Sequence, residues 1–223
     1  MRSETCDIIV IGGGSAAFSA AVSARQAGAA RVVMLEKASE AEYGGNARYS
    51  GTGFRFVHGG AAEIRQFVPD LDDDEFATMV IPPYGADDFM ADLERMTQGR
   101  MNRALSQVLV QQSNAALHWM RQVGIKWEPL KEHAKVGDKR YFERGIAIHV
   151  AGGGIGQLTQ WREIAQGLGI EIRFDSPVCA VHGDLRRVEG VAVSGPHGRY
   201  DLTAKAVIAC AGGFQANPEM RAR

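Results

Sequence analysis

The sequence predicts an α/β fold in which a central parallel sheet carries an added β-meander and a helical insertion. Three observations predict it. The chain opens on a short apolar run, a glycine turn and an alanine-rich stretch, followed at once by a second apolar run. Its middle holds two helix-length segments with apolar residues three and four apart, and its final quarter alternates short apolar runs with glycine turns.

The opening reads as a strand, Asp7 to Ile11, a turn, Gly12-Gly-Gly14, and a helix from Ser15 to Ala27 stopped by Gly28. Arg31-Val-Val-Met-Leu35 is the next strand and ends in Glu36, so residues 5–37 make a βαβ unit of the ~30 residues that such a unit needs. Residues 38–60 are rich in glycine and small polar side chains, notably Tyr43-Gly-Gly-Asn-Ala-Arg-Tyr-Ser-Gly-Thr-Gly53. That is long for a connection, and long loops are usually functional. A helical insertion is expected over about 60–124. It begins with the acidic run Asp70 to Glu75, read as a solvated loop feeding a helix N-terminus. Helices follow at about Asp87–Gln98 and Asn102–Val123, closed by Gly99 and Gly124, the second with Leu105, Val108, Leu109, Leu117 and Met120 as its apolar stripe and Trp119 in the core. A weaker strand pair at Ile125–Pro129 and Lys139–Phe142 precedes the glycines 152–156 and a helix from Gln157 to Leu168. A meander over 170–205 is expected from strands at Ile170–Phe174, Val178–His182, Val188–Val193 and Arg199–Leu202, with Ala206–Cys210 returning to the core sheet.

Composition excludes several classes. With 25 basic and 26 acidic residues the chain has no electrostatic footprint for nucleic acid or anionic lipid. The first apolar run, Ile8–Ile11, is too short for a signal core or a membrane span, so cytoplasmic localisation without membrane insertion is expected. Cys6, Cys179 and Cys210 each sit beside an apolar run, as expected of reduced, buried thiols, and with no Cys/His pattern of ligand spacing no metal site is expected.

The chemistry begins at Gly12-x-Gly14-x-x-Ala17 between a strand and a helix. Glycine at 12 permits the tight turn, Gly14 lets backbone approach a pyrophosphate, and a small residue at 17 lets helix pack on strand. The first-turn amides around Gly14, Ser15 and Ala16, with the helix dipole, make an anion site, and Glu36 at the end of the next strand can accept both ribose hydroxyls. In a chain with 27 glycines the pattern alone could be chance; strand, helix and acid in register make it a Rossmann-like dinucleotide site. A carboxylate at 36 would repel the 2′-phosphate of NADP.

The choice between NAD and FAD rests on a resemblance. Glu36-Lys37 followed by Gly44-Gly-Asn46 and a small-residue loop resembles the fumarate reductase and succinate dehydrogenase flavoprotein superfamily, whose members bind FAD. Within it, the run from Gly44 to Val57 and Trp119-Met-Arg-Gln-Val-Gly-Ile125 look most like FAD-dependent tricarballylate dehydrogenases, with flavoprotein parts of precorrin-3B synthases similar. The closing Ala209-Cys-Ala-Gly-Gly-Phe-Gln-Ala-Asn217 resembles the strand that returns to the flavin, so the likeness extends over nearly the whole chain. It implies a Rossmann-like FAD-binding domain in which Gly45, Asn46, Ala47, Ser50, Gly51 and Thr52 line the pyrophosphate and isoalloxazine. It also places Val178 near the adenine, and Ala211 and Gly212 by the ribityl side. Members usually carry Ser or Thr where this chain has Ala47, so one hydroxyl contact is missing. Succinate dehydrogenases attach FAD covalently to a histidine of this loop; none lies between Gly44 and Gly53, which implies noncovalent FAD.

Other residues keep two readings. Arg48, Tyr49 and Arg55 are ordinary loop polarity, or one arginine grips a carboxylate substrate. The glycines at 152–156 are a tightly packed helix start or a direct substrate contact. His149 is structural or an acid–base group, and Cys210 is a packing thiol or a redox one. The resemblance implies dehydrogenation or reduction of a CH–CH unit beside a carboxylate, with a small-molecule acid as substrate and an electron-transfer partner. It also implies that the substrate-gripping arginine and histidines belong to a capping domain and a C-terminal FAD segment expected beyond residue 223, so no catalytic residue is assigned. The alternatives are a flavin-binding or assembly module inactive alone, and an NAD-dependent dehydrogenase.

Overall fold

A computed structural model describes residues 3–131, 133–184, 186–215 and 217–222. Its elements in chain order are β1 (Ser3–Ile11), α1 (Ser15–Gln26), β2 (Val32–Leu35), a 3₁₀ turn (Gly45–Tyr49), α2 (Ala61–Ile64), α3 (Asp73–Ala77), β3 (Met79–Val80), α4 (Ala86–Thr97), α5 (Arg103–Gln122), β4 (Trp127–Pro129), β5 (Ala134–Val136), β6 (Lys139–Tyr141), β7 (Ile148–Val150), α6 (Gly153–Gly167), β8 (Glu171–Arg173), β9 (Val178–Gly183), β10 (Val188–Gly195), β11 (Gly198–Ala209) and α7 (Pro218–Ala222). They fall into two compact units, Met1–Ser50 with Gln157–Arg223, and Gly51–Gly156. Arg223 and Ala216 of the closing motif lie outside the described residues, as does Leu185 within the expected meander.

The first unit is built on a six-stranded sheet in the order β8-β2-β1-β11-β10-β9. The strands β8, β2, β1 and β11 run parallel, and β10 and β9 add an antiparallel meander. All four residues of β2 are buried, as a strand covered on both faces requires. The strands expected at Arg199–Leu202 and Ala206–Cys210 are one continuous strand, β11, which pairs with β1 from Ser3↔Asp201 to Ile11↔Ala209. The polar stretch Thr203-Ala-Lys205 does not break it, because Lys205 reaches Asp7 on the neighbouring strand at 2.6 Å. The core joins Cys6, Ile9, Val33 and Leu35 to Val191, Val193 and Leu202 of the meander and β11. Cys6 is buried and its thiol is pushed up to about 11 by desolvation. Cys179 departs from the expected burial. It is exposed because β9 is the outer strand of the meander, where only Val178 packs inward.

In the second unit β4 pairs antiparallel with β7, Trp127 opposite Val150, rather than with residues 139–142. Trp127 stacks edge-on with Phe54 and Phe67, which draws β4 to the buried β7. The polar β6 instead forms a hairpin with the exposed β5 and borders β3. Asp72 caps α3 by accepting from Glu75 N at 3.0 Å, the expected use of the acidic run. On α5 the buried stripe is Val110, Ser113, Leu117 and Met120, whereas Leu105, Val108 and Leu109 are exposed, and Trp119 is half-buried. A serine holds the core face there because its hydroxyl accepts from Val57 N and donates to Val110 O. Among the described residues no helix is long and apolar enough to cross a membrane.

Two outcomes follow from this core. Leu202→Ala should cost about 2–5 kcal/mol in urea unfolding, and a loss below about 1 kcal/mol contradicts the assigned core. Because folding holds the Cys6 proton, its contribution to stability is complete below pH 9.0 and is lost as pH rises toward about 11. Cys6→Ala should remove that part of the alkaline decline in the midpoint of urea unfolding.

Candidate functional site

The site is built from the carboxyl ends of three adjacent strands of the first unit. At the ends of β2, β1 and β11, Leu35, Ile11 and Ala209 stand in register. Gly12 N donates to Leu35 O and Cys210 N to Ile11 O, both at 2.8 Å, so the chain reverses tightly as it leaves β1. Gly12 has φ +120°, and a Cβ there would lie 2.4 Å from the Cys210 carbonyl oxygen, a backbone atom that cannot turn aside. No other residue fits this position.

Gly14 caps α1 with extended backbone and no side-chain partner, and no acidic residue lies in the first turn. The first-turn amides of α1 therefore keep their capacity for an anion. A Cβ on Gly14 would sit 3.2 Å from Gly44 O, which brings the glycine loop against the turn. That loop is anchored by Tyr43, whose ring packs on Phe18 and Phe174 and whose hydroxyl donates to Leu158 O at 3.2 Å. Gly44 has φ +111°, and a Cβ would meet Leu158 Cδ1 at 2.1 Å. From it the 3₁₀ turn starts, with Ala47 N donating to Gly44 O and Ser50 N to Ala47 O, both at 3.2 Å.

Glu36 is buried, with its carboxylate beside Gly13, where a Cβ would meet Oε2 at 2.5 Å. Its Oε1 accepts from Ala38 N at 2.8 Å and its carbonyl from Ser176 N at 2.9 Å. The carboxylate is thus fixed in direction with lone pairs to spare, as a ribose acceptor requires. Val178 follows Ser176 by two residues and packs on the cluster that contains Leu35. Lys37, Ala16, Gly45, Asn46 and Ser50 are exposed, Ser15 and Ala47 half-buried. Ala211 and Gly212 leave the end of β11 exposed, Gly212 with φ +77°. Desolvation raises the Cys210 thiol above its ordinary value, which keeps it protonated near neutrality and fits packing rather than redox work.

The turn, Glu36, Gly44 and Cys210 are therefore brought together, while Gly51 and Thr52 fall in the second unit. Thr52 is buried with φ +56°, a left-handed conformation that costs a β-branched residue roughly 1–3 kcal/mol. Its Oγ1 donates to Val150 O and its carbonyl accepts from Val150 N, both at 3.3 Å. In the same unit Arg55 is held by Asp92, Glu143, Tyr84 and the Arg144 carbonyl, which engages the fork proposed for a substrate carboxylate. His149 is buried with Nε2 3.2 Å from Glu128 Oε1. A Cβ on Gly156 would lie 2.3 Å from Ala151 O, so tight packing at a helix start explains that glycine. The helix itself begins at Gly153, earlier than the sequence placed it.

Sequence reasoning missed Gln157, which is buried and accepts from Ser15 Oγ at 2.9 Å through Oε1. No local pattern marks it, since the two residues are 142 positions apart. Two clefts of about 570 and 590 Å³ lie on the first unit, and neither is lined by a residue predicted for the site.

A turn that only glycine can make, an uncapped helix start and a buried acid at the next strand end define a dinucleotide-binding fold. The model of the FAD binding domain family matches residues 7–223, and the chain belongs to that family, within the fumarate reductase/succinate dehydrogenase flavoprotein superfamily. A probable fumarate reductase of Shewanella frigidimarina is 29% identical over 98% of this chain and 34% of its own length. The digoxin reductase of Eggerthella lenta is 28% identical over 96% of this chain and 37% of its own. Among solved structures, the open conformation of a flavocytochrome c3 fumarate reductase superposes with a TM-score of 0.73 at 27% identity, covering 98% of this chain and 36% of that one. The chain thus spans about a third of the length of these relatives. FAD is the cofactor of this domain.

Gly44→Ala tests the loop anchor. It should destabilise the chain by at least about 1 kcal/mol, and measured in a Leu158→Ala background its cost should shrink only by the part owed to the clash, because the positive φ remains. A Gly44→Ala cost that vanishes in that background in thermal unfolding contradicts the backbone argument.

Proposed function

We propose that this chain holds the ADP half of FAD against the side-chain-free turn at Gly12, on the amides of Gly14, Ser15 and Ala16 and on Glu36, and that it forms the cofactor-binding part of an FAD-dependent oxidoreductase. The observation that carries this reading is the turn at Gly12, whose backbone passes too close to Cys210 for any side chain, beside a helix start left uncapped. Lys37 and the loop residues Gly45, Asn46, Ala47 and Ser50 extend the site along the pyrophosphate toward the ring. Val178 serves the adenine, and Ala211 and Gly212 the ribityl side. Backbone amides take the place of the hydroxyl that Ala47 lacks.

When bound, the flavin supplies the two-electron donor and acceptor chemistry. The chain's own residues bind and orient it: neutral amides meet the pyrophosphate charge, and the fixed Glu36 carboxylate selects ribose hydroxyls over a 2′-phosphate. Binding is noncovalent, since the loop from Gly44 to Gly53 has no histidine.

The reaction class is dehydrogenation or reduction of a CH–CH unit next to a carboxylate, supported by relatives named as fumarate reductases. A tricarballylate-like acid is the substrate that the loop resemblance favours, with a separate electron-transfer partner for the flavin.

Purification of the chain with FAD and its absorbance spectrum test the reading. A bound yellow flavin released intact by acid precipitation is expected. Glu36→Ala and Gly14→Val should each lower retained FAD at least about tenfold, the loss of one charge-assisted contact or one close approach. Unchanged retention in both variants sinks the site assignment, and a flavin that stays with the precipitate sinks noncovalent binding.

A further inference from the structure

Gln157 is 2% exposed, yet its Nε2 has no hydrogen-bond partner, while its Oε1 accepts from the hydroxyl of Ser15, the first residue of α1. A buried amide N–H₂ left unpaired is costly, about 1–3 kcal/mol, and here it stands one bond away from the group that opens the uncapped helix. The Ser15 hydroxyl as it stands has spent its only proton on Gln157 and can offer an anion nothing but lone pairs. Rotation of the Gln157 amide by half a turn exchanges nitrogen and oxygen in nearly the same place. Nε2 then donates to Ser15 Oγ, and the freed hydroxyl proton can donate outward beside the first-turn amides of α1.

We infer that Gln157 is a positioning residue for the pyrophosphate of the cofactor, a side-chain relay in which its amide donates to Ser15 and Ser15 donates to a phosphate oxygen. The inference rests on the proposed FAD site and adds to it a residue from a distant helix. The Ser15 hydroxyl proton is accounted for in both states, and the flip gives the Gln157 amide nitrogen the acceptor it lacks without an anion. Without an anion Ser15 donates to Oε1; with one, Nε2 donates to Ser15 and Ser15 to the anion, so the hydroxyl proton always has an acceptor. Gln157 acts through Ser15 and touches no reacting atom.

The test is a double-mutant cycle on the full chain freed of flavin, read by calorimetric titration with ADP, and by the side-chain amide resonances of Gln157 in glutamine-labelled protein. Ser15→Ala and Gln157→Met should each weaken ADP about tenfold, and the double variant should be no weaker than the weaker single. Nε2 protons of Gln157 should shift on adding ADP to the parent chain and stay put in Ser15→Ala. If Gln157→Met folds poorly, Gln157→Glu keeps an acceptor for Ser15 but loses the donor, and it should weaken ADP at least as much. Losses that add in the double variant, or full affinity in Gln157→Met or Gln157→Glu, overturn the relay. A parent chain that binds neither ADP nor FAD defeats the FAD site itself, whereas a parent that binds both, with Ser15→Ala weak and Gln157→Met unaffected, defeats only the relay.

Discussion

The close passage of the Gly12 backbone beside the Cys210 carbonyl oxygen is the constraint on which the rest of the first unit depends. It exists because β1 lies between β2 and β11, both parallel to it, so that three chain segments leave the sheet at one level. One segment is the glycine turn into α1, one begins with Glu36, and one is the run from Cys210 to Gly212. A parallel sheet presents its strand ends this way, and ligands of such folds gather there. Any side chain at position 12 would push β1 and β11 apart and disturb all three segments at once.

In the proposed site the first turn of α1 meets the anion with backbone donors, and Lys37 is the cation at the next strand end. No side chain caps α1, no acid opposes its dipole, and Lys37 is exposed at the next strand end. Neutral backbone donors in a fixed direction give geometric selectivity at little reorganisation cost. The proposed site gives the glycine loop a part of the same kind. It begins at Gly44 against Gly14 and is pinned by Tyr43 and Leu158, so its first turn is set by packing, while Asn46, Tyr49 and Ser50 stay exposed.

Much of this arrangement is legible in the sequence, and the reasons are local. A strand, a glycine turn and an alanine-rich helix within forty residues encode their own pairing, so Gly12, Gly14 and Glu36 are found where the register of the βαβ unit puts them. Helices α4 and α5 are legible from their caps and closing glycines. What fails is what depends on distant partners. The choice of β7 over β6 as the neighbour of β4 is made by the Phe54, Phe67 and Trp127 rings. The fusion of two expected strands into β11 is made by an ion pair across to β1. The stripe of α5 turns toward Ser113 because Val57 needs an acceptor, which no count of apolar residues reveals. Gln157 is invisible for the same reason, since only folding brings it to Ser15.

Amide hydrogen exchange of the flavin-free chain, with and without saturating ADP, tests the central claim that the strand-end turn grips the ADP half of the cofactor. Added protection should fall on residues 13–16, at the uncapped start of α1, and on the 3₁₀ turn at 45–49. Protection that leaves 13–16 unchanged and appears only along the clefts lined by Arg173 and Tyr200 or by Arg31 and Lys205 would contradict it.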